Sequence, residues 1–195
     1  TLKVTDDKHA VSLYCPAEYA EKRRLIKNVL HVNFGVSDVD SATEEQVMDA
    51  VETLTETLDL SIIVHSTHSH SRGLREGKFK CRIIIPFSRP VELEEWDQVW
   101  HAINELIGGI ADEQCKNPNA IYYFPSCPPG DEDVAFTEHF NPDGEALNID
   151  ELLEQSDPPP RKESSIAAID PEKLAKIELS TRYRLAEAFL EVQFE

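Results

Sequence analysis

The chain contains no apolar run that approaches the length of a membrane span, so no transmembrane helix is read from it. No basic-then-apolar stretch opens it, and no secretory signal is predicted. Its one methionine is Met48, and the missing initiator predicts an excised fragment. Cysteines number only four (Cys15, Cys81, Cys115, Cys127), scattered without a CxxC pair. That argues against a disulfide framework and predicts a reduced, cytoplasmic setting. There is no internal repeat. Positive charge is scarce: 19 Lys and Arg stand against 37 Asp and Glu, a net charge of −18. Such a balance excludes a generally basic nucleic-acid binder.

What is present is unevenly placed. Residues 131–157 hold ten acids and no Lys or Arg, whereas residues 72–89 carry Arg72, Arg75, Lys78, Lys80, Arg82 and Arg89 against Glu76 alone. The net charge therefore hides a local basic strip, suited to a polyanion held with strong salt dependence. A length of 195 residues buries one core and a small appendage.

Along the chain, residues 9–14 read as a short strand, and Pro16 opens a predicted helix to about Val29. Residues 32–40 read as a strand. A helix follows from Thr43, where Thr43 and Gln46 have capping-box spacing and Val47, Val51, Leu54 and Leu58 fit one face. Residues 60–64 and 79–85 read as strands. On the second, Phe79, Cys81, Ile83 and Ile85 share one face, and Lys80 and Arg82 the other. Residues 66–78 between them read as a polar loop. Residues 92–107 form an amphipathic helix with Trp96 and Trp100 on its buried stripe, stopped by Gly108-Gly109. Residues 121–124 read as a further strand.

The β-α-β-β-α-β order from residue 32 is the split βαβ arrangement of an RRM-like, ferredoxin-like α+β sheet. An N-terminal β-α extension precedes it. Residues 131–157 read as acidic and turn-rich, with a tight turn at 141–144. The predicted domains are a catalytic unit over 1–155, a linker over 156–169 and a C-terminal helical accessory region over 170–195, capped by Asp170 and Pro171.

Asp38 and Asp40 lie two apart on a strand, so their side chains share a face. Without a counter-charge such a pair invites a divalent cation. It also fits solvated strand-end acids, with Asp40 or Ser41 as an N-cap. His65, His68 and His70 fit a transition-metal site, an incidental polar loop, or a phosphate-contacting His beside the hydroxyls of Ser66, Thr67 and Ser69. Lys80 and Arg82 fit phosphate binding or an ordinary solvated face. Asp112 fits either a turn cap or a third metal-site carboxylate. Cys115, Cys127 and His139 offer a further set for zinc, though none is closely paired.

The motifs Asp38-Val39-Asp40, residues 64–70 (Val-His-Ser-Thr-His-Ser-His) and residues 81–90 (Cys-Arg-Ile-Ile-Ile-Pro-Phe-Ser-Arg-Pro), in that order, carry a resemblance. So do the stretch from Asp112 through Tyr122-Tyr123-Phe124-Pro125 and residues 144–153. Over residues 10–153 the chain resembles the primase–polymerase domains of the archaeo-eukaryotic primase superfamily, in the branch of phage, plasmid and mobile-element replication proteins. It departs from that pattern at residues 33–37, less apolar than a central strand, and at Ala120, where an Arg is expected.

The resemblance implies a DNA-directed nucleotidyltransferase that synthesises primers by two-metal-ion catalysis, with extension as a further capacity. It implies Mg²⁺ or Mn²⁺ on Asp38, Asp40 and Asp112, and a nucleotide-contacting His at His70, with His68 as the rival alignment. Lys80, Arg82 and Ser69 would bind the triphosphate, and Arg72, Arg75 and Lys78 the DNA. The implied partners are a single-stranded DNA template, nucleoside triphosphates, and a helicase in the same polypeptide or replisome. Two other readings stay open. One is a rolling-circle replication nuclease, for which Tyr183 is the late nucleophile and the strict His-apolar-His triplet is missing. The other is an inactive DNA- or protein-binding module.

Overall fold

The computed structural model describes residues 2–158. The strands are β1 (Lys3–Val4), β2 (Leu13–Tyr14), β3 (Ala17–Tyr19), β4 (Val29–Val39), β5 (Ile62–Ser66), β6 (Cys81–Glu92), β7 (Tyr122–Tyr123), β8 (Ser126–Cys127) and β9 (Thr137–Phe140). The helices are α1 (Glu44–Glu52), α2 (His70–Arg75), α3 (Leu93–Leu106) and α4 (Ile149–Gln155). A five-stranded sheet runs in the order β3-β4-β6-β5-β9, with every neighbour antiparallel. Because β6 lies between β4 and β5, the β4-α1-β5 unit is split as the sequence order requires.

The buried sheet face holds Val39, Cys81, Ile83, Ile85, Ile62 and Val64. Against it pack Val47, Val51 and Leu54 of α1 and Trp96, Val99, Trp100 and Ile103 of α3. Leu54, Ile62, Ile83 and Ile85 are completely enclosed. Each stabilises the fold by roughly 1.5–3 kcal/mol relative to exposure. The start of α1 carries the expected capping box: Gln46 N–H donates to Thr43 Oγ1 (3.3 Å) and Thr43 N–H to Gln46 Oε1 (2.9 Å). Both tryptophans are core, and Trp96 satisfies its indole N–H on the Lys116 carbonyl at 2.8 Å.

Four expectations are corrected. Residues 16–29 are not a helix but β3, a turn and the start of β4. A lone helix with no apolar stripe is marginal, and pairing of Ala17–Tyr19 with residues 29–32 displaces it. Residues 121–124 do not supply the fourth sheet strand: β7 pairs with β2 instead, and the place beside β4 falls to β3. The polar loop at 66–78 contains α2. Gly73 there faces the Lys78 carbonyl so closely that a Cβ would stand 2.8 Å from it.

The acidic stretch, finally, is structured, since β9 closes the sheet edge against β5 and α4 docks with its buried Ile149. Its turn at 141–144 forms as expected, Gly144 N–H donating to the Asn141 carbonyl at 3.0 Å. Past Pro158, the predicted linker and the helix over 170–195 lie outside the described residues. Among the described residues no helix is long and apolar enough to cross a membrane.

Candidate active site

Antiparallel register decides which side chains meet on the sheet face opposite α1 and α3. Asp38 of β4 pairs with Arg82 of β6, and Arg82 pairs with His65 of β5, so the three form one cross-strand row. Arg82 Nη2 donates to Asp38 Oδ2 at 3.3 Å, and Nη1 donates to the Tyr123 carbonyl at 2.9 Å. The guanidinium also lies over the Tyr122 ring, 5.4 Å from its centre. Arg82 Nε comes within 3.2 Å of Asp38 Oδ1 as an ion pair. The angle does not make a hydrogen bond, so both atoms are buried without one.

Asp40 emerges just past β4 and pairs with Lys80 Nζ at 3.3 Å. Asp112 is brought alongside by its backbone, whose N–H donates to the Asp38 carbonyl at 2.8 Å. Its carboxylate also caps the next turn, accepting from Gln114 N–H at 2.9 Å. Asp38, Asp40 and Asp112 thus line one cleft of about 580 Å³, together with Arg24, Cys115 and Tyr122. Burial pushes the Asp38 carboxyl above its usual range. Arg82 opposes that shift, and the charges of Asp40 and Asp112 add to it.

A comparison with known families bears on this constellation. Residues 6–158 match the model of the VapE N-terminal domain family. The chain belongs to that family. No curated protein matches it in sequence. A solved structure similar to the domain is the cyanophage S-2L primase-polymerase (PrimPol), AEP domain. The identity is 17% and the TM-score 0.49, over 74% of this chain and 69% of that one.

Within this VapE N-terminal domain, the histidines part company. His70 is only 3% exposed and does not line the acidic cleft. Its ring packs edge-on against Phe79 (4.6 Å) and Phe136 (5.4 Å), and its Nδ1 bonds to the Lys80 carbonyl at 2.9 Å. It braces the backbone at Lys80, just before β6, instead of lining the cleft where the acids meet. His68, the alternative, is half-buried, with Nδ1 3.2 Å from the Ser126 hydroxyl. The two rings have different partners, and Tyr183 lies outside the described residues. His65 is buried between the Tyr14 hydroxyl (3.2 Å to Nε2) and the Ser66 carbonyl (3.0 Å to Nδ1). Burial lowers its pKa from 6.5 to about 4, so it is neutral at pH 7.

Ser66 and Thr67 are buried, which leaves Ser69 the one accessible hydroxyl of that loop. Arg72 and Arg75 are exposed on α2, and Lys78 is half-buried beyond it. The basic strip read over 72–89 is therefore dispersed. Lys80 and Arg82 neutralise the acidic pair, and Arg89 ties Glu95 (2.9 Å) to Asp150 (2.7 Å). The premise that Asp38 and Asp40 lack counter-charges is corrected by the same contacts. Cys115, Cys127 and His139 do not gather either: Cys115 Sγ accepts from Asp38 N–H at 3.2 Å, and His139 Nε2 lies 2.7 Å from the Ser61 hydroxyl.

Among the described residues no three His, Cys, Asp or Glu side chains form a ready-made metal cluster. The donor chemistry of the cleft nevertheless fits a hard divalent ion. Its acids supply only oxygen, and Asp38 Oδ1 is buried with no hydrogen-bond donor. Sequence reasoning missed Tyr14, Tyr122, Cys115 and Arg24 as neighbours of the acids. The pairing of β2 with β7, the path of residues 112–122 and, for Arg24, the connection between β3 and β4 bring them there, and no local pattern signals any of the three.

Proposed function

We propose that this domain is a DNA-directed nucleotidyltransferase that makes primers, and extends them, for replication of a mobile element. The observation that carries the reading is the convergence of Asp38, Asp40 and Asp112 on one cleft beside Lys80 and Arg82. Motif order along the chain and membership of the VapE N-terminal domain family support it.

Asp38, Asp40 and Asp112 are the residues that would hold Mg²⁺ or Mn²⁺. Bound there, such ions would supply Lewis-acid chemistry, lowering the pKa of an attacking 3′-hydroxyl and offsetting triphosphate charge. The chain's own work is electrostatic. Lys80 and Arg82 exchange their present carboxylate partners for phosphate oxygens, Arg82 as a planar fork and Lys80 as a point charge. Arg82 stays aimed during that exchange, because the Tyr123 carbonyl and the Tyr122 ring hold it independently of Asp38. His68 and Ser69 are the accessible donors of the adjoining loop, and His68 takes the nucleotide-contacting role. Neutral His65 adds no charge beside Arg82. Single-stranded template and nucleoside triphosphates are the substrates, with a helicase as the replication partner.

The test supplies purified protein with single-stranded template, Mg²⁺ or Mn²⁺ and labelled nucleotides. Wild type should yield template-dependent product, and Asp38→Ala should yield none. Product from Asp38→Ala at the wild-type rate, or no product from wild type and from a longer chain alike, overturns the proposal. The second outcome favours an inactive binding module.

A further inference from the structure

The hairpin joining β3 to β4 was not among the residues assigned to DNA. It carries Lys22, Arg23, Arg24 and Lys27, all exposed, with Glu21 as its one acid over residues 20–28. Lys80, Arg82, Arg89 and Lys116 are engaged in ion pairs, whereas none of the four hairpin cations is so engaged among the described residues. Arg24 itself lines the acidic cleft. Arg72 and Arg75, by contrast, do not line it, and Glu76 follows them directly.

The hairpin is built rather than slack. Asn28 is buried at its base, and its amide donates to the Arg23 carbonyl at 2.9 Å. Ala20 N–H donates to the Asn28 carbonyl (2.8 Å), and Asn28 N–H to the Leu25 carbonyl (2.9 Å). Leu25 and Ile26, 44% and 49% exposed, put an apolar facet between the cations.

We propose that this hairpin is an arm that grips the sugar-phosphate backbone of a single DNA strand at the mouth of the acidic cleft. The inference deepens the template-directed reading of that cleft and rests on it. A chain with a net charge of −18 repels a polyanion over most of its surface. Salt confines each charge to about 8–10 Å, so a strand feels the nearest unneutralised cluster rather than the net charge. The arm is that cluster. Its internal hydrogen bonds fix the loop before binding, which reduces the ordering cost. Leu25 and Ile26 give the deoxyribose faces something apolar to cover.

The test is fluorescence anisotropy of a labelled oligothymidine across a potassium chloride series. It compares wild type, a variant with Lys22→Gln, Arg23→Gln, Arg24→Gln and Lys27→Gln, and a second with Arg72→Gln and Arg75→Gln. Each lost contact should flatten the slope of log affinity against log salt by about 0.7, so the arm variant should lose up to about 3. Its affinity at low salt should fall at least about tenfold by the same counting. All the altered side chains are exposed, and an unchanged thermal melt checks the fold.

Three results overturn the arm. The first is an unchanged slope and affinity in the arm variant. The second is loss confined to the Arg72/Arg75 variant. The third is displacement of the strand by polyglutamate as readily as by unlabelled DNA, which would assign the arm to an acidic protein. The readout needs no turnover. Product synthesis with an indifferent arm sinks the arm alone, and an arm-dependent slope without any product sinks the nucleotidyl-transfer reading alone.

Discussion

Arg82→Met removes the cation that faces Asp38, the cleft carboxylate that burial shifts upward. The Arg82 side chain is 11% exposed and that of Asp38 22%, so solvent screens the pair only in part. Deleting one partner of a buried pair costs about 3–5 kcal/mol, because the other charge stays unpaired. The partial exposure of Asp38 puts the expected loss near the lower end, about 3 kcal/mol at pH 7. Asp38→Asn with Arg82→Met leaves no orphaned charge. The double-mutant cycle should therefore return a coupling of about 2–3 kcal/mol.

The sign of the pH dependence follows from the same contacts. Burial already holds the Asp38 carboxyl above its ordinary value, and Arg82 is the main charge opposing that shift. Removing Arg82 raises it further. A carboxyl whose folded pKa exceeds its unfolded one favours the folded state when protonated, and that advantage fades as pH rises through the folded value. The deficit of Arg82→Met should thus shrink as pH falls from about 7 to about 4.5. Urea denaturation at each pH measures it. A deficit below about 1 kcal/mol at pH 7, or one that does not change with pH, would refute the reasoning.

Gly73→Ala would add a Cβ 2.8 Å from the Lys78 carbonyl and 2.8 Å from Lys80 Cγ. It should destabilise by about 1–2 kcal/mol in urea and lower product formation by displacing Lys80; a gain of about 1 kcal/mol, as at an open helix position, would count against the packing. His65 should titrate near pH 4 by ring-proton NMR. Its depressed pKa makes stability fall as pH drops from 6.5 towards 4, by up to about 3 kcal/mol, and titration near 6.5 would contradict its burial. Native alkylation with iodoacetamide should mark the half-buried Cys15 first. Burial pushes the Cys115 thiol up to about 11 and that of Cys81 up to about 12, and Cys127 is buried too. Mass spectrometry finding Cys115 modified as fast as Cys15 would disagree.

The order of motifs was enough to identify the replication-protein resemblance, and membership of the VapE N-terminal domain family agrees with it. Local chemistry was legible where local forces decide. The Thr43–Gln46 capping box, the tryptophan stripe of α3 and the Gly108-Gly109 stop, both glycines at positive φ, all formed as read. Strand parity likewise put Arg82 on the face opposite Cys81, Ile83 and Ile85, which are fully buried.

The sequence misled where long-range pairing competes with weak local preference. Residues 16–29 had Pro16 to start a helix but no apolar stripe to dock one, and β4 took Ala17–Tyr19 as a strand. The two-residue β7, cut off by Pro125, went to β2 rather than to the sheet. His70 and His68 look interchangeable in a His-rich turn. Which ring packs against Phe79 and Phe136 depends on the chain just before β6 and on the chain before β9, the latter far along the sequence.

Residue types and their order along the chain by themselves determined the sheet-and-helix class and singled out three acids that line one cleft. Tertiary structure alone decided which cations neutralise those acids and which remain unpaired on the β3–β4 hairpin. Those outcomes turn on register and side-chain reach between distant segments, and electrostatic energy depends on separation in space rather than along the chain.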